Sequence, residues 1–509
     1  MNSPVPLTTI AAAAAMQLSD FPDRLSPIMV KELRQGLRQP TFVIAFLCLQ
    51  VLLCIVVVVS VLSAPVGSQT GLRVGETVSG FFFVLLAIVI LLVQPLRGLG
   101  ALATEIKEDT LDLLLLTRLN SWRITFGKWL ALVSQSALLV VAVFPYLILR
   151  YYLGGMQLFA ELLGLFTLFV ASASITGITV GFSATPSLVI RGLVALAMLV
   201  SLLIVPQFLL FSMVMGGRRG GGGSPFTITL SSAAEVSGYV GTLLMMLFIG
   251  YYFLEMGATQ IAPPAENRST MKRLSGLAAL GLLAWLLPND GITLFICWLL
   301  VVTLLMVDAL SERPGFTSSV LRPFRRLGPL RYVGGTLLLP GWPSGLIFAS
   351  LLAVITVVMC MKKILLTDPH ADDIAIFCLL WFATILLPAM VTSLFMNHTK
   401  NRFTTYIIVL LASLIVSLVF FTIGAATNTA QDLLLLVPAC PALGLMSFGQ
   451  YSAPQSNDGL IWIAISTCAG YWAILFARSL GHWKRTRALD RQLVPRLPSA
   501  VVADPAGVA

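Results

Sequence analysis

Charge is scarce in this sequence: Asp, Glu, Lys and Arg make up 11% of its 509 residues, against the roughly 25% usual in a soluble domain. An ordinary water-facing surface is excluded for most of the chain. Histidine occurs three times, as His370, His398 and His482, and none stands in an HExxH zinc pattern or an evident nucleophile triad. The seven cysteines, Cys48, Cys54, Cys297, Cys360, Cys378, Cys440 and Cys468, sit almost all inside apolar runs without metal-type spacing. That argues against a disulfide framework or a zinc site. A phosphate-binding loop of the form GxxxxGK[ST] is also missing. Gly127 and Lys128 are adjacent, but Trp122 stands where the first glycine is needed and Trp129 follows the lysine. The chain is therefore expected to bind no cofactor and to be no enzyme. Long polar segments are lacking too, since the longest, Ser311 to Pro343, is too small to bury a core of its own.

Apolar length is what the sequence has in excess. Hydrophobic residues make up 58% of the chain, and its mean hydropathy is +0.93. Repeated continuous stretches of about 18 or more apolar residues match a hydrocarbon core of ~30 Å as helices, whereas barrel strands would alternate. The expected fold is an all-α integral membrane protein with about 12 transmembrane helices in two blocks of six. The first block comprises Thr41 to Ala64, Val78 to Leu96, Phe126 to Leu149, Phe159 to Phe182, Leu188 to Met215 and Val236 to Met256. The second comprises Leu274 to Leu287, the shortest, then Ile292 to Leu310, Ser344 to Met361, Ile374 to Met396, Phe403 to Ala425 and Leu460 to Leu480. A further run, Leu433 to Phe448, is interrupted by Pro438 and Pro441 and reads as re-entrant or interfacial.

The net charge of +10 is spread in short clusters between spans, which reads as a topology signal and not as a nucleic-acid surface. With a cytoplasmic N-terminus and twelve spans, 26 of the 32 Lys and Arg fall on the cytoplasmic side. Both termini are thus expected in the cytoplasm, in a plasma (bacterial inner) membrane. The expected division is a segment over 1–40, a six-span domain over 41–256, a second six-span block over 257–481 and a basic tail over 482–509, disordered at its end. Residues 1–24 lack a basic region before their weak apolar stretch, so the first span is expected to act as the insertion signal. The glycine-rich stretch Gly216 to Phe226 reads as a flexible external loop. Glu161, Glu235, Glu255 and Asp308 fall near expected span ends, where carboxylates are interfacial more often than proton relays.

Two segments carry more information than hydropathy. Before the first span, Leu25, Ile28, Met29, Leu33 and Leu37 recur at helical spacing, with Lys31, Arg34, Gln35 and Arg38 on the other side. This predicts an amphipathic elbow helix on the cytoplasmic membrane face, ended by Pro40. Between the second and third spans the charges are ordered: Glu105, Glu108, Asp109 and Asp112 precede Arg118, Arg123 and Lys128. Asp109 is placed to cap a short helix over Leu111 to Leu119, with Asp112 near its positive end and Arg118 near its negative one. Leu113 to Leu116 give that helix an apolar surface that must dock on membrane, protein body or partner.

Both segments resemble those of permease subunits of the type-two ATP-binding-cassette export family. Pro27, Lys31, Glu32, Leu33 and Arg34 match that family's PhhxKELR-like elbow. Glu105, Lys107 and Glu108, then Thr110, Leu111 and Asp112, then Leu113, Leu114 and Thr117 match its ErExGTLexLLxTPls-like loop, closed by Gly127 and Lys128. Asp109 replaces the usual glycine and Arg118 the usual proline. The resemblance implies that this loop is the coupling helix meeting a separate ATPase subunit, that ATP is used by that partner, and that a second permease copy or related subunit completes the path through the bilayer. It is strong over the first six spans. In the second block only the broken element at Leu433 to Phe448 and a degenerate elbow near Pro329 are similar. The residues alone leave two other readings open, an ion-coupled secondary transporter with internal repeats and a non-transport scaffold whose basic loops bind lipid or protein.

Overall fold

The computed structural model describes residues 27–63, 81–108, 120–153, 158–200, 233–263, 266–286, 291–314, 320, 337–363, 371–395, 401–427, 436–447 and 457–492, and among these there is no strand. Among the described residues ten helices are long and apolar enough to cross a bilayer, so the chain is an all-α, multi-pass membrane protein. Two of the twelve expected spans are not among the ten. Leu188–Val200 is helical over the described part of the fifth span, and its continuation to Met215 lies outside the described residues. Ser269–Leu286 is an 18-residue helix whose first turns carry Lys272 and Arg273.

The chain divides into two compact units, Met1–Ala262 and Pro263–Ala509. In the first, helix α1 (Pro27–Arg38) leads through Gln39 into α2 (Pro40–Ser63). The apolar segment α3 (Phe81–Lys107) follows, then α4 (Ser121–Leu153), α5 (Leu158–Ser183), α6 (Leu188–Val200) and α7 (Ala233–Ile261). Leu49 and Leu53 of α2, Phe82, Phe83 and Leu86 of α3 and Leu139 and Val143 of α4 form the main core. The other side of α2 is as apolar as its packed side: Ile44, Leu47, Val51 and Ile55 are exposed. In water such a face would be costly; against lipid tails it is the expected surface.

Segment α3 contains a π-helical turn over Val89–Val93, in which the Gln94 N–H reaches back to the Val89 carbonyl. The cause is local. Pro95 has no N–H, so the Ile90 carbonyl five residues earlier has no π-helical donor, and Ser172 Oγ of α5 donates to it at 2.9 Å. Bilayer-spanning backbone needs such substitutes, because no water can supply one.

Helices α5 and α7 approach through small residues. A Cβ on Gly177 would lie 2.7 Å from the Gly250 carbonyl oxygen, and one on Gly181 would lie 2.2 Å from that of Phe253. Backbone cannot swing aside as a side chain can, so this is close small-residue packing of the kind that joins helices in lipid. Gly181→Val should therefore lower the melting temperature of the purified chain, at a cost of about 1–3 kcal/mol. Gly238→Ala on α7, whose added Cβ meets nothing within 4 Å, is the control; equal melting of the two variants would refute the close approach.

The second unit comprises α8 (Ser269–Leu286), α9 (Gly291–Ser311), α10 (Trp342–Lys363), α11 (Ala371–Phe395), α12 (Arg402–Thr427), α13 (Pro441–Ser447) and α14 (Asn457–Gln492). Helix α11 is its centre, with 78% of its most apolar window buried, whereas α12 has 11% of its window buried and turns Ile408, Ile415 and Val419 outward. Within the broken element of the sequence reading, α13 has 7 residues. At 1.5 Å per residue it rises about 10 Å, a third of a hydrocarbon core.

Candidate functional site

The first unit gathers its charges where α1, the end of α3 and the start of α4 meet. Lys128, on the second turn of α4, is 5% exposed, and its Nζ lies 2.9 Å from Glu32 Oε1 of α1 and 2.8 Å from Glu105 Oε1 of α3. One cation thus joins three segments. The π-turn and Pro95 set up a second joint at Arg97, which follows on the next short helical stretch (Gln94–Gly98). Its Nη1 donates to Gln94 Oε1 at 2.9 Å and to Gln135 Oε1 of α4. Its Nη2 donates to the Gly36 carbonyl at 3.1 Å and to Gln39 Oε1 at 2.8 Å, and the guanidinium stands 5.7 Å from the Phe42 ring centroid. Arg97 thus binds α1, the turn into α2 and α4 together. A Cβ on Gly36 would lie 2.1 Å from Gln135 Nε2, so a larger residue there would push the Gln135 side chain away from Arg97.

Beside these joints opens a cleft of about 640 Å³, lined among others by Lys31, Glu32, Arg97, Glu105, Glu108 and Lys128. Among the described residues no group of His, Cys, Asp and Glu is arranged to hold a metal ion. What the junction presents is charge pairs that fix the relative position of three segments.

Sequence reading singled out Glu32, Glu105 and Lys128, and the structure brings them together. Lys31 is exposed at the cleft, Leu33 is buried, Arg34 is half-buried, and Pro27 opens α1. Helix α1 does not rest on membrane alone, since it packs against α4. Lys107 and Glu108 are exposed at the end of α3. Asp109, Thr110, Leu111, Asp112, Leu113, Leu114 and Thr117, with the helix expected over Leu111 to Leu119, lie outside the described residues. Arg97, Gln39, Gln94 and Gln135 were not singled out; a glutamine–proline pair and an arginine closing an apolar run were their signal.

The second unit has its own buried charge network. Lys272 Nζ of α8 lies 2.7 Å from Asp308 Oδ2 of α9 and 2.9 Å from Glu312 Oε1. Arg273 Nη2 lies 2.9 Å from Glu312 Oε2, and its Nη1 donates to the Leu337 carbonyl at 2.6 Å and to Ser344 Oγ at 3.0 Å. The Gly341 N–H also donates to Glu312 Oε2, at 3.2 Å. Glycine is needed there: its φ of +115° is left-handed, and a Cβ would meet Pro314 Cα at 2.8 Å. Glu312 stands just past the last turn of α9. Burial opposes its ionisation, but Lys272 and Arg273 outweigh that and hold its carboxyl down to about 2. Of the carboxylates placed near span ends by the sequence, Asp308 belongs to this network, Glu161 and Glu255 are buried, and Glu235 is exposed.

Comparison of the chain with protein-family models, curated proteins and solved structures gives no match.

Proposed function

We propose that this chain is the membrane-spanning permease subunit of an ATP-driven export system, powered by a separate ATPase subunit and working with a second permease copy or related subunit. The observation that carries the reading is the Glu32–Lys128–Glu105 joint. The three sequence segments that resemble the exporter family, the KELR elbow, the acidic start of the loop and the GK that closes it, are 96 residues apart at the extremes and meet at one lysine. A push on the loop after Glu108 enters α3 and α4 at that lysine and reaches α1 through it. The partner supplies the ATP chemistry and this chain none.

The expected contact with the ATPase is the leucine-rich stretch, because desolvated leucines supply affinity where exposed ion pairs add only about 0–1 kcal/mol. Leu113→Ser combined with Leu114→Ser should reduce co-purification of the ATPase from native membranes by about tenfold or more, since each buried leucine contributes about 1.5–3 kcal/mol. Asp109→Ala should weaken transport-stimulated ATP turnover while leaving membrane insertion intact, at a helix-cap cost of about 0.5–2 kcal/mol. Unchanged assembly and coupling in both variants would overturn the assignment of the loop. ATP turnover by the chain freed of every co-purifying ATPase would overturn the reading as a whole.

A further inference from the structure

The second unit carries a cluster of hydrogen-bond donors that lacks an acceptor. Arg402, the first residue of α12, is 6% exposed, and Trp342, the first residue of α10, is 1% exposed. The Arg402 guanidinium stands 4.8 Å from the Trp342 ring centroid, and the His482 ring of α14 meets the same indole edge-on at 5.4 Å. Among the described residues nothing accepts from Arg402 Nε or Nη2, nor from Trp342 Nε1. Buried donors without acceptors are costly and rare, and a bound group that the chain itself does not supply is one explanation of them.

The surroundings say what that group is. Arg485 stands one turn beyond His482 on α14, and both it and Arg402 lie within electrostatic reach of the imidazole. Arg313 Nη2 donates to the side chain of Asn401, next to Arg402, at 3.1 Å. The nearby carboxylate Glu312 is already taken up by Lys272, Arg273 and the Gly341 N–H, and no carboxylate among the described residues offsets the Arg402 charge. A planar guanidinium beside further cations, presenting only donors, fits a phosphate group. We infer that Arg402, with Trp342, His482 and Arg485, forms a binding site for the phosphate of an anionic phospholipid headgroup. The lipid source is favoured by position. The site lies at one end of membrane-crossing helices, at the depth where phospholipid headgroups sit, and the helices that carry it turn apolar side chains outward, Ile408, Ile415 and Val419 on α12 and Trp472, Ile474 and Phe476 on α14.

The test uses the purified full chain in detergent, titrated with phosphatidylglycerol, phosphatidylcholine or inorganic phosphate while its melting temperature is followed. Phosphatidylglycerol at a hundredfold excess over its dissociation constant should raise the melting temperature by about 5 °C or more, and phosphatidylcholine should not. Arg402→Leu should abolish the difference, and Arg485→Gln, at an exposed position, should reduce it. Without lipid, Arg402→Leu should melt no lower than the parent, because it removes an unpaired buried cation; should it fail to fold, the Arg485→Gln comparison decides alone. Equal shifts from the two lipids, or an Arg402→Leu chain that keeps the phosphatidylglycerol shift, would overturn the site. The same Arg402-dependent shift from inorganic phosphate would overturn the lipid source and assign the site to a free phosphate.

Discussion

Lys128→Met should lower the melting temperature of the chain by about 6–12 °C, the largest effect expected of a single substitution in the first unit. Lys128 is the cation shared by Glu32 and Glu105, and both carboxylates are left without it when it goes. Removing one partner of a buried pair costs about 3–5 kcal/mol because the survivor stays buried and charged. Glu32 and Glu105 retain 23% and 14% exposure, so the lower end, about 3 kcal/mol, applies, at about 2–4 °C per kcal/mol for a unit of this size. Glu105→Gln alone should cost much less, since Lys128 keeps Glu32. The triple change Glu32→Gln, Glu105→Gln and Lys128→Met should recover most of the stability, because no charge is then stranded. If the junction also transmits motion, as the permease reading requires, that triple variant will fold and insert while its partner's ATP turnover no longer responds to transport. A Lys128→Met chain that melts with the parent would show that the lysine is not a joint. A triple variant that folds and couples normally would leave the joint structural and remove the main support of the permease reading.

How far the molecule was legible in its sequence depended on whether the cause was local. Apolar length is local, so hydropathy located the helices from Pro40–Ser63 onward to within a few residues at most boundaries. Helix α1 was legible from Leu33 and Leu37 at helical spacing and from Pro40. Glu32, Glu105 and Lys128 each stood out, but their meeting did not, because nothing in one dimension relates positions up to 96 apart. Arg97 was hidden for a related reason. Its role follows from the π-turn, which needs both Pro95 and the Ser172 hydroxyl 82 residues away from the carbonyl it rescues. The network in the second unit has a local trace in the sequence. Lys272 and Arg273 open an apolar helix, and Asp308 and Glu312 are four apart, hence on one face of a helical chain. Charges at such places in a membrane protein should be presumed paired, since lipid offers them no other partner.

That network gives the second large effect, and its pH dependence can be signed. Lys272, Arg273, Asp308 and Glu312 balance in charge and are all less than a tenth exposed. Glu312→Gln leaves two cations sharing Asp308, so at pH 7 it should cost about 3–5 kcal/mol, the full range for breaking a buried pair. Independently, a carboxyl held at about 2 in the folded chain against an ordinary value of 4.5 corresponds to roughly 3 kcal/mol at about 1.4 kcal/mol per pH unit. The folded value is the lower one, so this stabilisation is present in full above pH 4.5 and is lost as pH falls from 4.5 through 2. The parent should therefore lose its advantage over Glu312→Gln across that window, and the two melting curves should converge near its acid end. Above pH 5 the gap should be flat. Thermal unfolding of both chains in detergent at half-unit pH steps reads this directly. A gap that stays constant down to pH 2.5 would mean that the carboxylate does not titrate with folding, and a gap that widens on acidification would mean that Glu312 is protonated in the native state, so that Lys272 and Arg273 hold it by geometry and not by charge.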